Sequence, residues 1–108
     1  MILNKATGKE LEKKEGIYQY DFEARKQNSK VAITLTIKGE NISSVTATAD
    51  CACTSALPNV IDKQTVEIDI IYKSTHITHT INRSIFVSYT DGQENKLTEI
   101  KIDGQIVN

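Results

Sequence analysis

The chain has 108 residues, which fits one domain and leaves little room for a second. It carries 13 basic and 14 acidic residues, mixed along the sequence, and its net charge is -1. This balance argues against a dedicated nucleic-acid surface, which needs clustered basic residues, and against steering of a strongly charged substrate. Tryptophan is absent, so the core has to be built mainly from isoleucine, valine and leucine.

Residues 1–16 form an N-terminal arm, of which residues 5–16 are the charge-dense part. Leu11 stands alone among lysines and glutamates and gives a helix little to bury, so we expect a solvated arm, with a partner-docking arm as the alternative. Residues 1–6 lack the basic start, apolar stretch and cleavage site of a signal peptide. No apolar run reaches the length of a transmembrane helix. We therefore expect the chain to stay in the compartment where it is made.

After Gly16 the hydrophobic pattern changes to a period of two, which is typical of half-buried strands. Residues 18–24 alternate in this way, and after a turn residues 31–37 do the same. The next strand begins at Ile42, and its phase breaks at Ser43-Ser44. We expect a β-bulge or a late strand start at this pair.

The parity of this strand continues into Cys51 and Cys53, which predicts an extended backbone through both. Pro58 is expected to end the strand, because proline cannot donate to a strand ladder.

Three further stretches complete the pattern. Residues 66–72 and 81–89 alternate and are separated by residues 73–80, which read as a polar loop. Asp91-Gly92 is a strong hairpin signal, and the last strand runs through residues 100–106.

Six or seven strands separated by regular turns, with no helix of ordinary length, predict an all-β antiparallel sandwich over residues 17–108. A small barrel remains an alternative, since strand spacing alone does not distinguish the two. The side chains expected to fill the core are Tyr18, Phe22, Val31, Ile33, Leu35, Val66, Ile68, Ile70, Ile85, Val87, Ile100 and Ile102.

Four motifs follow one another in a specific order: Cys51-Ala52-Cys53-Thr54, then residues 58–62, 66–74 and 100–106. In this order they resemble small bacterial immunoglobulin-like domains of unknown function that carry a Cys-Gly-Cys-Thr-type motif. The resemblance covers about residues 17–107 and implies an immunoglobulin-like β-sandwich, but it brings no catalytic residues. Ala52 stands where those domains usually have glycine, so the backbone there need not adopt a positive φ angle.

Cys51, Cys53, His76 and His79 are the candidate metal ligands. Structural zinc sites favour cysteines two to four residues apart on a tight turn, whereas these are separated by one residue on a predicted strand. We therefore expect free thiols that pack as small apolar side chains, and a Cys51–Cys53 disulfide remains a minor alternative. A thiol nucleophile needs a nearby base, and nothing in the sequence places either histidine there. We expect no catalytic site, metal or cofactor.

The sequence therefore predicts a non-enzymatic structural protein. Domains of the family usually follow an export leader or form modules of long surface proteins, whereas a lone sandwich with polar outer faces is typical of a virion protein. We expect an auxiliary or decoration protein of a phage capsid, made in the host cytoplasm and carried on the virion. Its expected partners are the major capsid protein or other virion proteins, with no nucleic acid, membrane or small-molecule substrate. Residues 1–16 and 73–80 are the parts expected to contact neighbours.

Two other hypotheses stay open. The chain is alternatively an exported immunoglobulin-like adhesion or binding module whose leader has been removed, placed in the periplasm or on the cell surface. A third hypothesis is a thiol or metal protein built on Cys51 and Cys53.

Overall fold

A computed structural model describes residues 2–50, 53–73 and 79–108, and for His79 it describes the backbone. These residues form strands joined by turns, and they include no helix. The strands in chain order are β1 (Ile2–Asn4), β2 (Glu12–Lys14), β3 (Ile17–Lys26), β4 (Lys30–Lys38), β5 (Ile42–Ala49), β6 (Thr54–Asp62), β7 (Thr65–Lys73), β8 (His79–Asp91) and β9 (Glu94–Val107).

The strands pair into two sheets. One has four strands in the order β1-β4-β7-β6, and the other has five in the order β2-β3-β9-β8-β5. Neighbouring strands are antiparallel except β3 and β9, which run parallel. No hairpin joins β3 to β9, so nothing local forces them to be antiparallel. Two separate sheets with one core between them make the described fold a β-sandwich and not a closed barrel.

The core lies between the sheets because the period-two pattern turns alternate side chains inward. Leu35 of the four-stranded sheet and Ile100 of the five-stranded sheet are fully buried in it. The rings of Phe22 and Tyr72 stack across the two layers with their centroids 6.3 Å apart. Every predicted core residue is buried except Tyr18, which is half-buried and packs against the core.

Residues 2–16 are part of the sandwich, which corrects the prediction of a solvated arm. β1 pairs with β4, where Ile2 lies opposite Ile37, and β2 pairs with β3 at the edge of the other sheet. Ile2 and Leu11 are 2% and 8% exposed. The segment therefore crosses from one sheet to the other and closes one side of the core. Its two three-residue strands raise the strand count above the predicted six or seven.

Two sequence signals are confirmed. The pairing of β5 with β8 shifts after Ser43, and Ser44 has a φ of 55°, as expected for a β-bulge. The Asp91-Gly92 signal forms the β8–β9 hairpin, in which Asp91 pairs with Glu94 and Gly92 has a φ of 65°.

Pro58 does not end a strand, which corrects the expectation that it would. It lies in the middle of β6, opposite Ile68 of β7. β6 is an edge strand of the four-stranded sheet, and proline is tolerated at an edge because its missing N–H need not break the ladder.

The chain leaves the five-stranded sheet earlier than the pattern predicts. β5 ends at Ala49 and β6 begins at Thr54 in the other sheet, so the strand does not continue into the cysteines. Beyond Ala49 the N–H of Asp50 donates to the carbonyl of Ser84 at 3.1 Å, and the N–H of Ser84 donates to Asp50 Oδ2 at 3.0 Å. These bonds hold the point at which the chain changes sheets.

The predicted loop over residues 73–80 is shorter than expected at both ends. Lys73 is the last residue of β7, and β8 already begins at His79. Residues 74–78 lie outside the described residues.

Candidate interaction surfaces

Among the four candidate metal ligands, Cys53 is the one whose side chain the structure describes. Cys51 and His76 lie outside the described residues, and His79 is described only as a backbone position in β8. Cys53 is disulfide-bonded, and the sequence holds one other cysteine, Cys51. The expectation of a free thiol at Cys53 is therefore wrong. It depended on an extended backbone through both cysteines, whereas β5 ends at Ala49.

Acidic side chains do meet on the outer face of the five-stranded sheet. Asp21 and Asp103 are partners on β3 and β9, and both line an open groove of about 540 Å³. Asp21 Oδ1 accepts the N–H of Glu23 at 2.7 Å, which holds a bulge where Glu23 has a φ of 66°. Within the described ranges, no group of three or more His, Cys, Asp or Glu is placed to hold a metal ion. The carboxylate of Asp21 therefore stabilises the bulge of β3 at Glu23.

No helix among the described residues is long and apolar enough to cross a membrane.

Arg83 lies between Ile81 and Ile85 on β8, on the parity that faces the core. Its Nε is buried and, among the described residues, has no hydrogen-bond partner. Burial raises the pKa of Tyr72, and the charge of Arg83 opposes that rise.

A cluster of exposed apolar side chains lies on β6. Leu57, Val60 and Ile61 are 64%, 55% and 52% exposed, and we call these three residues the β6 patch. β6 is the last strand of its sheet, so one of its long sides carries no neighbouring strand. Single exposed apolar residues are ordinary, whereas several exposed apolar side chains on one sheet edge are a candidate interaction surface.

The β6 patch occupies both faces of the strand. Leu57 pairs with the exposed Asp69 on the outer face, whereas Val60 pairs with the buried Val66 on the inward parity. The register shifts between Val60 and Asp62, and Ile61 is the extra residue. The sequence pattern did not predict this surface, because Pro58 was expected to end the strand, whereas β6 continues to Asp62.

Leu57 also borders an open groove of about 640 Å³ that includes part of the outer face of the four-stranded sheet. Lys5 lines the groove, and its Nζ lies 2.8 Å from Glu67 Oε2. The hydrogen bond to Glu67 and its charge raise the pKa of Lys5. Thr34 donates to Asp69 Oδ1 at 2.7 Å in the same groove. The patch therefore continues into a concave surface with fixed polar groups.

A smaller apolar pair lies on the outer face of the five-stranded sheet. Leu97 is 74% exposed and Phe86 is 39% exposed. Leu97 pairs with Ser88 and Phe86 pairs with Glu99, which makes the two apolar side chains diagonal neighbours. This pair sits in the middle of a polar face and offers less apolar contact than the β6 patch.

The described side chains thus place exposed apolar surface at a sheet edge, and among them no group of three or more His, Cys, Asp or Glu is placed to hold a metal ion. A scan of the chain against protein-family models finds no match, and a search of curated proteins finds none either. The function is therefore argued from the surface chemistry of the sandwich.

Proposed function

We propose that this chain is a non-enzymatic structural protein, an auxiliary protein that docks on the outer face of a phage capsid. The observation that carries the proposal is the β6 patch, because Leu57, Val60 and Ile61 are all more than half exposed on one edge strand. An exposed apolar edge favours aggregation of an isolated protein, and it provides a binding surface in a protein that works by contact.

An immunoglobulin-like topology is the second part of the proposal, and the strand order supports it. Immunoglobulin-type sandwiches place strands A, B, E and D in one sheet and C, F and G in the other. If β1 and β3 together count as strand A, then β1-β4-β7-β6 follows the order A-B-E-D. The order β3-β9-β8-β5 then follows A-G-F-C.

The size of the β6 patch favours docking in many copies. Complete burial of one such side chain contributes about 1.5–3 kcal/mol. The exposed parts of three side chains therefore offer roughly 3–5 kcal/mol before the costs of association are subtracted. A dissociation constant of 1 mM already needs about 4 kcal/mol. One patch alone thus binds weakly, and a repeating shell supplies the avidity that a single copy lacks.

We propose that contact is made through the β6 patch and not through the N-terminal segment. Ile2 and Leu11 belong to the core, so residues 2–16 are less suited to reaching a partner than expected. Contact through residues 73–80 stays a prediction. The proposed partners are the major capsid protein or other virion proteins, and the proposed location is the virion.

Co-sedimentation with assembled shells tests the proposal. Shells are assembled from the major capsid protein encoded in the same genome and are incubated with the purified chain. We expect wild-type protein to pellet with the shells and Leu57→Asp to stay in the supernatant, because a charge on the β6 patch has to be desolvated on docking.

Leu97→Asp is the matched control, since it places the same charge on another exposed leucine. We expect it to pellet like the wild type. Failure of the wild-type chain to pellet contradicts the proposal, and so does equal loss of binding in the two variants.

The second candidate is an exported binding module, and the disulfide at Cys53 favours it. Disulfides persist mainly in oxidising compartments and are rare in the cytosol. Cells that make the native protein are treated with a thiol-alkylating reagent before lysis, and the chain is located by fractionation. Unmodified cysteines in a periplasmic or surface fraction support export, whereas recovery in purified particles supports the capsid proposal.

A further inference from the structure

We infer that Pro58 prevents strand addition at the β6 edge, so that the β6 patch accepts the surface of a folded partner and not an extended strand. The inference rests on the proposed docking role of the β6 patch and names the class of partner that it takes. It is carried by the hydrogen-bond parity of β6 and by the exposure of its side chains.

The parity follows from one bond at the start of the β6–β7 pair. The N–H of Lys73 donates to the carbonyl of Cys53 at 3.2 Å. Thr54 and Tyr72 are Cα partners and form the next pair along the ladder. Along an antiparallel ladder, pairs that hydrogen-bond to each other alternate with pairs that do not. Thr54 and Tyr72, the pair next to a bonded one, therefore do not bond to each other. From Thr54 onward, every second residue of β6 therefore directs its N–H and C=O away from β7.

Thr54, Ala56, Pro58 and Val60 are the residues whose backbone groups point to the unpaired edge. Pro58 lies between Ala56 and Val60 in this set, and it has no N–H. A strand added at this edge would bring a carbonyl opposite the pyrrolidine ring, where it finds no donor and loses contact with water. The bulge after Val60 interrupts the regular edge further.

Proline removes the backbone donor but leaves the neighbouring side chains in place. Leu57, Val60 and Ile61 remain more than half exposed on either side of the blocked position. Residues 54–61 carry no charged side chain, so the complementary surface is apolar and uncharged. The edge thus rejects a pairing strand and retains an apolar contact surface, which suits the folded face of a shell protein.

Restoring the N–H tests the inference. Pro58→Thr supplies the missing donor, and Asn59→Thr introduces the same residue where the backbone faces β7. Sedimentation velocity over a concentration series should show that Pro58→Thr self-associates about tenfold or more tightly than wild type, whereas Asn59→Thr matches wild type. Amide exchange should show new protection at residues 56, 58 and 60 of Pro58→Thr at high concentration.

Three outcomes overturn the inference. They are a Pro58→Thr chain that associates no more than wild type, equal association of the two threonine variants, and association without protection of those amides. No shell enters this experiment, so failure of every variant to bind shells contradicts the proposed function and the class of partner, but not the block to strand addition at Pro58.

Discussion

The ring of Phe22 covers Gly104 on β9, next to the point where the pairing of β3 with β9 shifts. A Cβ on Gly104 would overlap that ring, so the glycine is required for space and not for its backbone angle. We predict that Gly104→Ala lowers the free energy of unfolding by about 1–3 kcal/mol, the usual cost of overpacking a core. Urea denaturation followed by circular dichroism measures the change.

Shortening the covering side chain provides the control for this prediction. In a Phe22→Leu background the same glycine substitution should cost less, because the ring that it meets is gone. Equal costs in the two backgrounds would show that the Phe22 contact is not the cause.

Asp91 ties the β8–β9 hairpin to the turn between β4 and β5. Its Oδ1 accepts the N–H of Asn41 at 2.8 Å and the N–H of Glu40 at 3.2 Å. The bond from Asn41 lowers the pKa of Asp91, burial opposes that shift, and the bond from Glu40 adds to it. A carboxyl with a lowered folded-state pKa stabilises the fold above its unfolded pKa and loses this contribution as the pH falls through its folded pKa.

We therefore predict that Asp91→Asn is less stable than wild type at neutral pH and that the difference shrinks in acid. Melting temperatures of the two proteins at several values between about pH 7 and pH 2 measure this effect. A difference that stays constant over the whole range would contradict the assigned role of the carboxylate.

The third prediction at this scale concerns Arg83. Its charge opposes the rise in the pKa of Tyr72, so Arg83→Met should raise that pKa further. The absorbance titration of tyrosinate measures it, with Tyr72→Phe identifying the signal. An unchanged titration would place the guanidinium too far away to act on the phenol.

At the scale of the element, β1 shows how a short strand contributes to the core. Ile2 is almost fully buried, and Ile2→Ala should lower the free energy of unfolding by about 2–4 kcal/mol. Glu12→Ala, on the exposed β2, should change it by less than about 0.5 kcal/mol. Chemical denaturation compares the two, and similar small effects would contradict a structural role for β1.

The long strands were predictable because their alternation is a local property. β4 and β7 each keep apolar side chains at every second position over nine residues, and this pattern needs no partner to be recognised. The two N-terminal strands were not predictable in the same way. Each has three residues, and Ile2 becomes a core residue only where β1 pairs with β4, far along the chain. Leu11 precedes β2 and donates its N–H to the carbonyl of Ile2, so its burial depends on the same placement.

At the scale of the whole molecule, the candidate site depended on information that no local pattern contains. A proline ends a central strand but is accepted in an edge strand, and the order of strands in the sheet decides which of these applies to Pro58. The β6 patch depends on the same order, since a further strand beyond β6 would place its own side chains beside Leu57 and Val60. The thiol prediction failed for a related reason, because Ala49 ends the strand where the chain changes sheets.

The parallel pairing of β3 with β9 sets the order of events during synthesis. Lys26, at the end of β3, pairs with Val107, and the ribosome needs about 4–16 s to make the roughly 80 residues between them. Throughout this interval β3 cannot pair with β9, so the hydrophobic core of the nascent chain is not yet closed on that side. The chain completes its fold only after β9 has been synthesised. Until then its exposed apolar surface is accessible to chaperones.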